Sequence, residues 1–315
     1  MKILAVDTAE QSCSIALVED GFPLFETFLC NKVTHSRSLM SMIAKMFDSN
    51  IAGKGQGIKD VDGMVAACGP GSFTGLRIGI SVVKGLACAA SKPVAGISSL
   101  DGIAWQFSAS ASIVSPSMVG KNSLSEVPEA PSMSGKNSLS EVAEAPSMAG
   151  KNFLSVVAEA PSMAGKNFLS GVSEAPSRVT DSYASVCAMM DAKRGEVYCA
   201  FYRFINGQLI EKSQERALAP EKAAAMAGNN LTLFAGSGAV VFRETIKKIC
   251  GDNAMFAPPF QNYVRASALA YALLQKPYRL SLEHDAIMPV YLRRSDAEMN
   301  YEQSKGGFVD KESSL

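Results

Sequence analysis

The sequence predicts an α/β protein of two lobes with the same internal pattern, each a mixed sheet carrying helices. Three observations point there. The first 30 residues read as three consecutive strands; a short apolar strand then runs through a glycine-rich string, GPGSFTGLRIG at 69–79, into a helical pattern; and beyond a block of repeats the same succession recurs. At 315 residues, 47% hydrophobic and 19% charged, the chain has apolar material for two cores.

Residues 3–8 and 12–19 read as strands, and Asp20-Gly21 turns the chain into a third over 24–30. A helix follows, with Thr34 or Ser36 as N-cap and Leu39, Met42, Ile43, Met46 and Phe47 recurring at three-to-four spacing. Residues 61–67 form a buried strand leading into the glycine string and a helix whose face is Leu76, Ile80, Val83, Ala87 and Ala90. A strand over 94–97 and a helix capped by Ser98 or Ser99 and running through Trp105 complete the first lobe, 1–108.

From Pro116 the text changes. PSMVGKNSLSEVPEA, PSMSGKNSLSEVAEA, PSMAGKNFLSVVAEA and PSMAGKNFLSGVSEA are four near-copies of one 15-residue unit, ending at Ala175. The period is short for a helical solenoid, each copy has few large apolar residues, and Pro recurs at every junction. The expectation is a disordered or loosely helical surface insertion over 109–182.

The second lobe is expected over 183–279. Strands at 184–191 and 196–204 are joined through Lys193-Arg194-Gly195, and Asn206-Gly207 turns into a strand at 209–213. Helical pattern at 220–227 precedes a strand at 231–235, the loop Gly236-Ser237-Gly238, a helix over 239–249 and a last helix over 264–274. A segment near 280–300 is a candidate to return to the first lobe, and 301–315 reads as a flexible tail. Two facing lobes that each pass from a meander into β-α units describe an actin-like architecture. That arrangement points Asp7, Thr8 and the glycine loops into the interlobe cleft. Gly69, Gly71, Ser72, Gly236, Ser237 and Gly238 join Asp7 and Thr8 as candidate nucleotide contacts, because backbone N–H groups of glycine loops suit anions; tight turns and close packing are the competing reading.

The charge balance of thirty basic and thirty acidic residues excludes a bulk field for nucleic acid. Seven cysteines without a CxxC pair suit a reducing compartment. Asp7 interrupts the first apolar run and no apolar stretch reaches about 18 residues, so the sequence predicts a cytoplasmic protein with no membrane partner. The glycine string lacks the Lys-Ser/Thr of a P-loop, and neither HExxH nor GxSxG occurs. The two histidines, His35 and His284, lie far apart, and each reads as a capping or surface residue. No catalytic residue and no metal site is assigned.

GPGSFTGLRIG, with ILAVDTAEQSCSIAL at the N-terminus, His35-Ser36, MDAKRGEVY from Met190 and PVYLR from Pro289, resembles the TsaB (YeaZ) family, over 1–108 and 183–295. The resemblance implies the actin-like fold of the TsaD superfamily. It further implies a non-catalytic scaffold or activating subunit that pairs with TsaD as a heterodimer, with TsaE as a further partner and tRNA engaged indirectly through the complex. The product implied is N6-threonylcarbamoyladenosine at position 37 of tRNAs reading ANN codons. No cofactor is required on this reading, weak ATP/ADP binding is left open, and a homodimer is an alternative where TsaD is absent. The catalytic relatives hold metal through an HxxxH pair that this chain lacks. First-lobe helices are the implied docking elements, through Leu39, Met42, Ile43, Met46, Gly75, Arg77 and Gly79; packing within the lobe is the alternative for the innermost of these. Ala9 and Met42 depart from the family pattern, in which a hydroxyl residue and a proline are common. The competing function is an autonomous enzyme of the same fold, peptidase-like or ATP-dependent.

Overall fold

A computed structural model describes residues 1–30, 35–48, 57–108, 185–275 and 278–293. The expected repeat insertion and the expected tail therefore lie outside the described residues. By contact the chain divides into Met1–Ser115 with Ser182–Leu315, and Pro116–Asp181; the described elements all belong to the first unit.

In the first sheet β1 (Lys2–Asp7), β2 (Ser12–Glu19) and β3 (Phe22–Cys30) form an antiparallel meander, and β4 (Gly63–Gly69) and β5 (Val94–Ser98) add in parallel beside β1, giving the order β3-β2-β1-β4-β5. The parallel strands need crossovers. One is α2 (Phe73–Ala90), which follows β4 and seats Leu76, Ile80, Val83 and Ala87 in the core. The other elements of this half are α1 (His35–Asp48) and α3 (Ser99–Ala104), the latter capped by the Ser98 side chain. β1 and β4 are buried almost end to end, as strands covered on both faces must be.

The second sheet repeats this topology. β6 (Ser185–Lys193), β7 (Glu196–Ile205) and β8 (Gln208–Lys212) form the meander, β10 (Thr232–Ala235) and β11 (Ala254–Phe256) add in parallel, and β9 (Arg216–Leu218) pairs with β7. Its helices are α4 (Pro220–Ala225), α5 (Ser237–Val241), α6 (Arg243–Cys250) and α7 (Ala266–Leu274). The single helix expected over 239–249 is two, broken at Phe242, whose backbone leaves the helical region. The short edge strands β9 and β11 escape a pattern search because three residues show no periodicity.

The lobes exchange helices. α7 packs on β1 and β2, α3 packs on β6, and the two helices lie against each other. Gly102 makes that approach close, since a Cβ there would meet Leu269 Cδ2 at 2.7 Å and Val264 Cγ1 at 2.8 Å. The first lobe also caps α7: Ser14 Oγ accepts from Ala266 N at 3.1 Å and Glu26 Oε1 from Ser267 N at 3.1 Å. Glu26 reaches Arg265 as well, at 2.9 Å. A carboxylate at a helix start is favoured by the peptide dipoles.

Residues 278–293 run back along the first sheet, where Ser281 bridges Val94 and Val290 N donates to Cys68 O at 2.7 Å. α2 has the length and composition to cross a membrane, yet its apolar stripe is consumed by the lobe core. Cys13, Cys68, Cys187, Cys199 and Cys250 are buried free thiols, while Cys30 and Cys88 are exposed.

Candidate functional site

The glycine string begins where β4 ends and α2 begins, directly against the turn that joins β1 to β2. Ser72 N-caps α2, its hydroxyl accepting from Gly75 N at 3.2 Å. Such a cap stabilises a helix by about 1 kcal/mol. Ser72 N in turn donates to Ala9 O at 2.6 Å, and Thr8 Oγ1 donates to Gly75 O at 2.7 Å.

These bonds bring backbone onto backbone. A Cβ on Gly71 would lie 2.4 Å from Ala9 O, one on Gly75 2.1 Å from Thr8 O, and one on Gly79 2.4 Å from Thr8 Oγ1. The space that the glycines open is therefore filled by the chain's own residues 8 and 9. Gly69, at φ +114°, faces Val290 O in the same way.

Asp7 closes β1 and is fully buried. Its Oδ1 accepts from Ala9 N at 3.0 Å, whereas Oδ2 has no partner among the described residues. Burial first, then the neighbouring Glu10 charge, holds this carboxyl well above the ordinary Asp range, against the pull of the Ala9 and Thr8 amides.

Glu10, the next acid along the turn, crosses to the second lobe. Its Oε1 accepts a hydrogen bond from Ser237 Oγ, and its Oε2 is enclosed without a partner among the described residues. Burial pushes the Glu10 carboxyl up to about 7, with Ser237 and Lys193 opposing the rise and Asp191 adding to it. Ser237 Oγ also accepts from Asp191 N at 3.0 Å. The flanking Gly236, at φ +111°, donates its N–H to Asn262 Oδ1 at 2.9 Å, and a Cβ there would strike Met189 O at 2.3 Å. Only glycine suits that conformation.

The structure thus brings Asp7, Glu10 and Ser237 into one polar group at the interlobe contact, with Thr8 turned onto α2. Gly71 and Ser72 sit on Ala9, and Gly69 faces Val290. Gly236 and Gly238 lie against Met189 and Met190. Both histidines contact carbonyls: His35 Nε2 is 2.7 Å from Glu10 O, and His284 Nε2 is 2.9 Å from Lys92 O. In the second hairpin Asp191 pairs with Lys193 at 2.6 Å and Glu196 with Arg293 at 3.3 Å.

The expected docking residues divide. Leu39, Met42, Ile43 and Met46 are buried in their own lobe, the packing given above as the alternative for the innermost of these residues. Four apolar residues at helical spacing mark a buried stripe, and the lobe's own sheet takes that stripe. Gly75 and Gly79 likewise face residue 8. Arg77 is exposed, with its guanidinium 3.8 Å over the Phe73 ring and Nε donating to Tyr291 Oη at 3.1 Å. The outward surface of these two helices carries Met40, Ser41, Ala44, Thr74, Ser81, Gly85 and Ala89.

Two groups went unread in the sequence. Glu10 looks like an ordinary turn acid, and no periodicity distinguishes it. Asp101 is the lone charge in the otherwise apolar α3, a signal that could have been used. It accepts from Tyr202 Oη at 2.6 Å and from Tyr278 Oη, and pairs with Lys212 at 2.6 Å, tying α3 to the second lobe.

Known proteins resemble this chain in both sequence and fold. Residues 31–126 match the family model of TsaD, described as tRNA N6-adenosine threonylcarbamoyltransferase. The Escherichia coli tRNA threonylcarbamoyladenosine biosynthesis protein TsaB is 38% identical over 100 residues, 32% of this chain and 41% of that protein. This chain therefore spans about two fifths of that relative's length in the match. The Bacillus subtilis protein of the same name is 22% identical over 97% of this chain and 100% of its own. A solved structure described as YeaZ from Pseudomonas aeruginosa superposes with a TM-score of 0.57 at 21% identity, covering 92% of this chain and 99% of that one. These likenesses support the resemblance to TsaB/YeaZ within the actin-like TsaD superfamily, and the two mixed sheets have that two-lobed fold.

Proposed function

We propose that the chain is a non-catalytic scaffold or activating subunit that pairs with TsaD, and with TsaE, in forming N6-threonylcarbamoyladenosine at position 37 of tRNAs reading ANN codons. Relatives named for that pathway support the reading. The observation that carries the non-catalytic part is the filled glycine string. Residues 8 and 9 occupy the space over Gly71, Gly75 and Gly79. The hydroxyls of Thr8, Ser72 and Ser237 are engaged with backbone or with Glu10. No cofactor is required on this reading, and the protein works in the cytoplasm.

The docking surface proposed for TsaD is the outward side of α1 and α2, around Met40, Ser81 and Gly85. Small residues there let a partner helix approach closely, and Met40 adds adaptable apolar area. In the absence of TsaD the same surface serves a homodimer.

The test is reconstitution. The purified chain alone should transfer no threonylcarbamoyl group to tRNA, and omitting it from a mixture with TsaD and TsaE should abolish modification. Robust transfer by the lone chain would instead favour an autonomous enzyme and overturn the reading.

A further inference from the structure

Arg77 lies one turn beyond Phe73 on α2, and both side chains are exposed. The Phe73 ring stacks on Tyr291, with centroids 4.7 Å apart and planes inclined by 26°. The Arg77 guanidinium rests 3.8 Å over the Phe73 ring, and its Nε donates to Tyr291 Oη at 3.1 Å. One residue of α2 and one of the segment that returns along the first lobe thus hold a single exposed cation. No carboxylate among the described residues pairs with it, and the clamp uses Nε alone of its donors. The N–H groups on the two terminal nitrogens are left for a ligand.

Ordering a long side chain in water costs rotamer entropy, and a cation over an exposed ring returns little of it. What the clamp does provide is a planar fork already held when a partner arrives, so that binding loses less freedom. A guanidinium so presented takes a carboxylate through two parallel hydrogen bonds. Arg77 also lies in line with Ser81 and Gly85, each about one turn further along α2, and so continues the outward surface of that helix. That surface cannot supply the anion to a second copy of itself with ease. α2 contains no acidic residue, and α1 contains only Asp48, its last, beside exposed Arg37 and Lys45. The surroundings are those of a protein contact: Phe73, Tyr291, Met288 and Val290 are all exposed, and aromatic residues with Arg are enriched at such anchors. A phosphate backbone would instead ask for a row of cations without this apolar flank.

We propose that Arg77, clamped by Phe73 and Tyr291, anchors the docking surface by taking an Asp or Glu carboxylate of a different protein chain on its two terminal nitrogens. The inference rests on the proposed docking of TsaD at α1 and α2, and it names the chemistry by which that partner is recognised. It also makes Arg77 a discriminating residue: an acid-bearing partner gains the paired hydrogen bonds, whereas a second copy of this chain does not.

The experiment is calorimetric titration of purified TsaD into the full-length chain, wild type and variants, with self-association read by sedimentation and tRNA binding by filter retention. Arg77→Lys keeps the charge but loses the fork, and should weaken TsaD binding about tenfold. Arg77→Glu should weaken it about a hundredfold, and Tyr291→Phe, which frees the guanidinium at Nε, about threefold. Self-association should not weaken in Arg77→Lys, and circular dichroism melts of the free variants should match wild type. If Arg77→Glu does not fold, the two milder variants decide. Arg77 variants that bind TsaD as wild type does, while Ser81→Arg does not, overturn this inference and leave the docking surface standing. Wild-type protein that binds no TsaD overturns the proposed function, and this inference with it. A loss of tRNA binding without loss of TsaD binding would assign Arg77 to nucleic acid and overturn the proposal. So would self-association that weakens in step with TsaD binding, or a lowered melt with TsaD binding intact, which would make Arg77 a support within the chain.

Discussion

Two glycines of one helix should respond oppositely to the same substitution. Gly75 and Gly85 both lie in α2, where Ala has an intrinsic advantage over Gly of about 1 kcal/mol. At Gly85 a Cβ meets nothing within 4 Å, so Gly85→Ala should stabilise by roughly 0.5–1 kcal/mol. At Gly75 the new Cβ would sit 2.1 Å from Thr8 O. That is about 1.3 Å inside ordinary contact, on the steep wall of the potential. Thr8 O cannot swing aside as a side-chain end would. Its residue is fixed by the bond from Thr8 Oγ1 to Gly75 O, and the next by the bond from Ser72 N to Ala9 O. Overpacking of this kind costs about 1–3 kcal/mol, and the rigid neighbour puts Gly75 at the upper end. After the propensity gain, Gly75→Ala should be destabilised by about 2 kcal/mol. Urea unfolding followed by circular dichroism reads both values, and the melting temperature of Gly75→Ala should fall by roughly 4–8 °C. If the two variants shift together, or Gly75→Ala is as stable as wild type, then the glycine string is not held by close packing.

Glu10→Gln should flatten the pH dependence of stability. A carboxyl at about 7 in the folded chain and near its ordinary value when unfolded binds more protons folded, so stability falls as pH rises from about 4.5 to 7, by roughly 3 kcal/mol. Urea midpoints at pH 5 and pH 7.5 should therefore differ less in the variant than in wild type; an equal difference would contradict the burial of this group. Asp101→Ala strips the acceptor from Tyr202, Tyr278 and Lys212 together, and should destabilise by about 3–5 kcal/mol in the same assay; a loss under about 1 kcal/mol would mean that water replaces it. Ser81→Arg is exposed on α2 and should leave unfolding within about 0.5 kcal/mol of wild type, while co-purification with TsaD falls at least tenfold. Unimpaired capture would move the docking surface elsewhere.

Much of the frame was legible because each lobe is written in plain periodicities. The meander of β1 to β3, the Lys193-Arg194-Gly195 and Asn206-Gly207 turns, and the Ser98 cap of α3 all depend on neighbours in sequence. The cleft was legible only in outline. The order of elements directed the first hairpin turn and the glycine loops to one cleft, but it did not say that Thr8 and Ala9 fill the glycines. Thr8 and Ala9 are separated from Gly71 and Gly75 by more than sixty positions, and no local pattern records that one backbone lies on the other. The same limit left open what covers Leu39 and Met46, which the structure buries in the core: an apolar stripe gives a face and not its partner. Glu26 and Asp101 act across the lobes, so their roles required both to be in place.

The cross-lobe contacts bear on whether the cleft opens at all. A fold that closes on a ligand needs a soft connection between its halves. Here α3 and α7 are each packed on the opposite sheet and against each other, with Gly102 sealed by Leu269 and Val264. Polar ties at Glu10–Ser237 and at Asp101–Tyr202–Lys212 sit at separate places on that packed frame and share no residue. If the apolar exchange of helices already fixes the lobes, each tie acts locally. The losses of stability in Glu10→Ala and Asp101→Ala should then add within about 0.5 kcal/mol in the double variant. If instead the ties alone hold two mobile halves together, removing the first would release the second, and the cycle would show coupling of about 1 kcal/mol or more. Additivity would mean a rigid platform, which suits a subunit that presents a surface to a partner; coupling would mean a hinge, and would argue for an enzyme that opens and shuts.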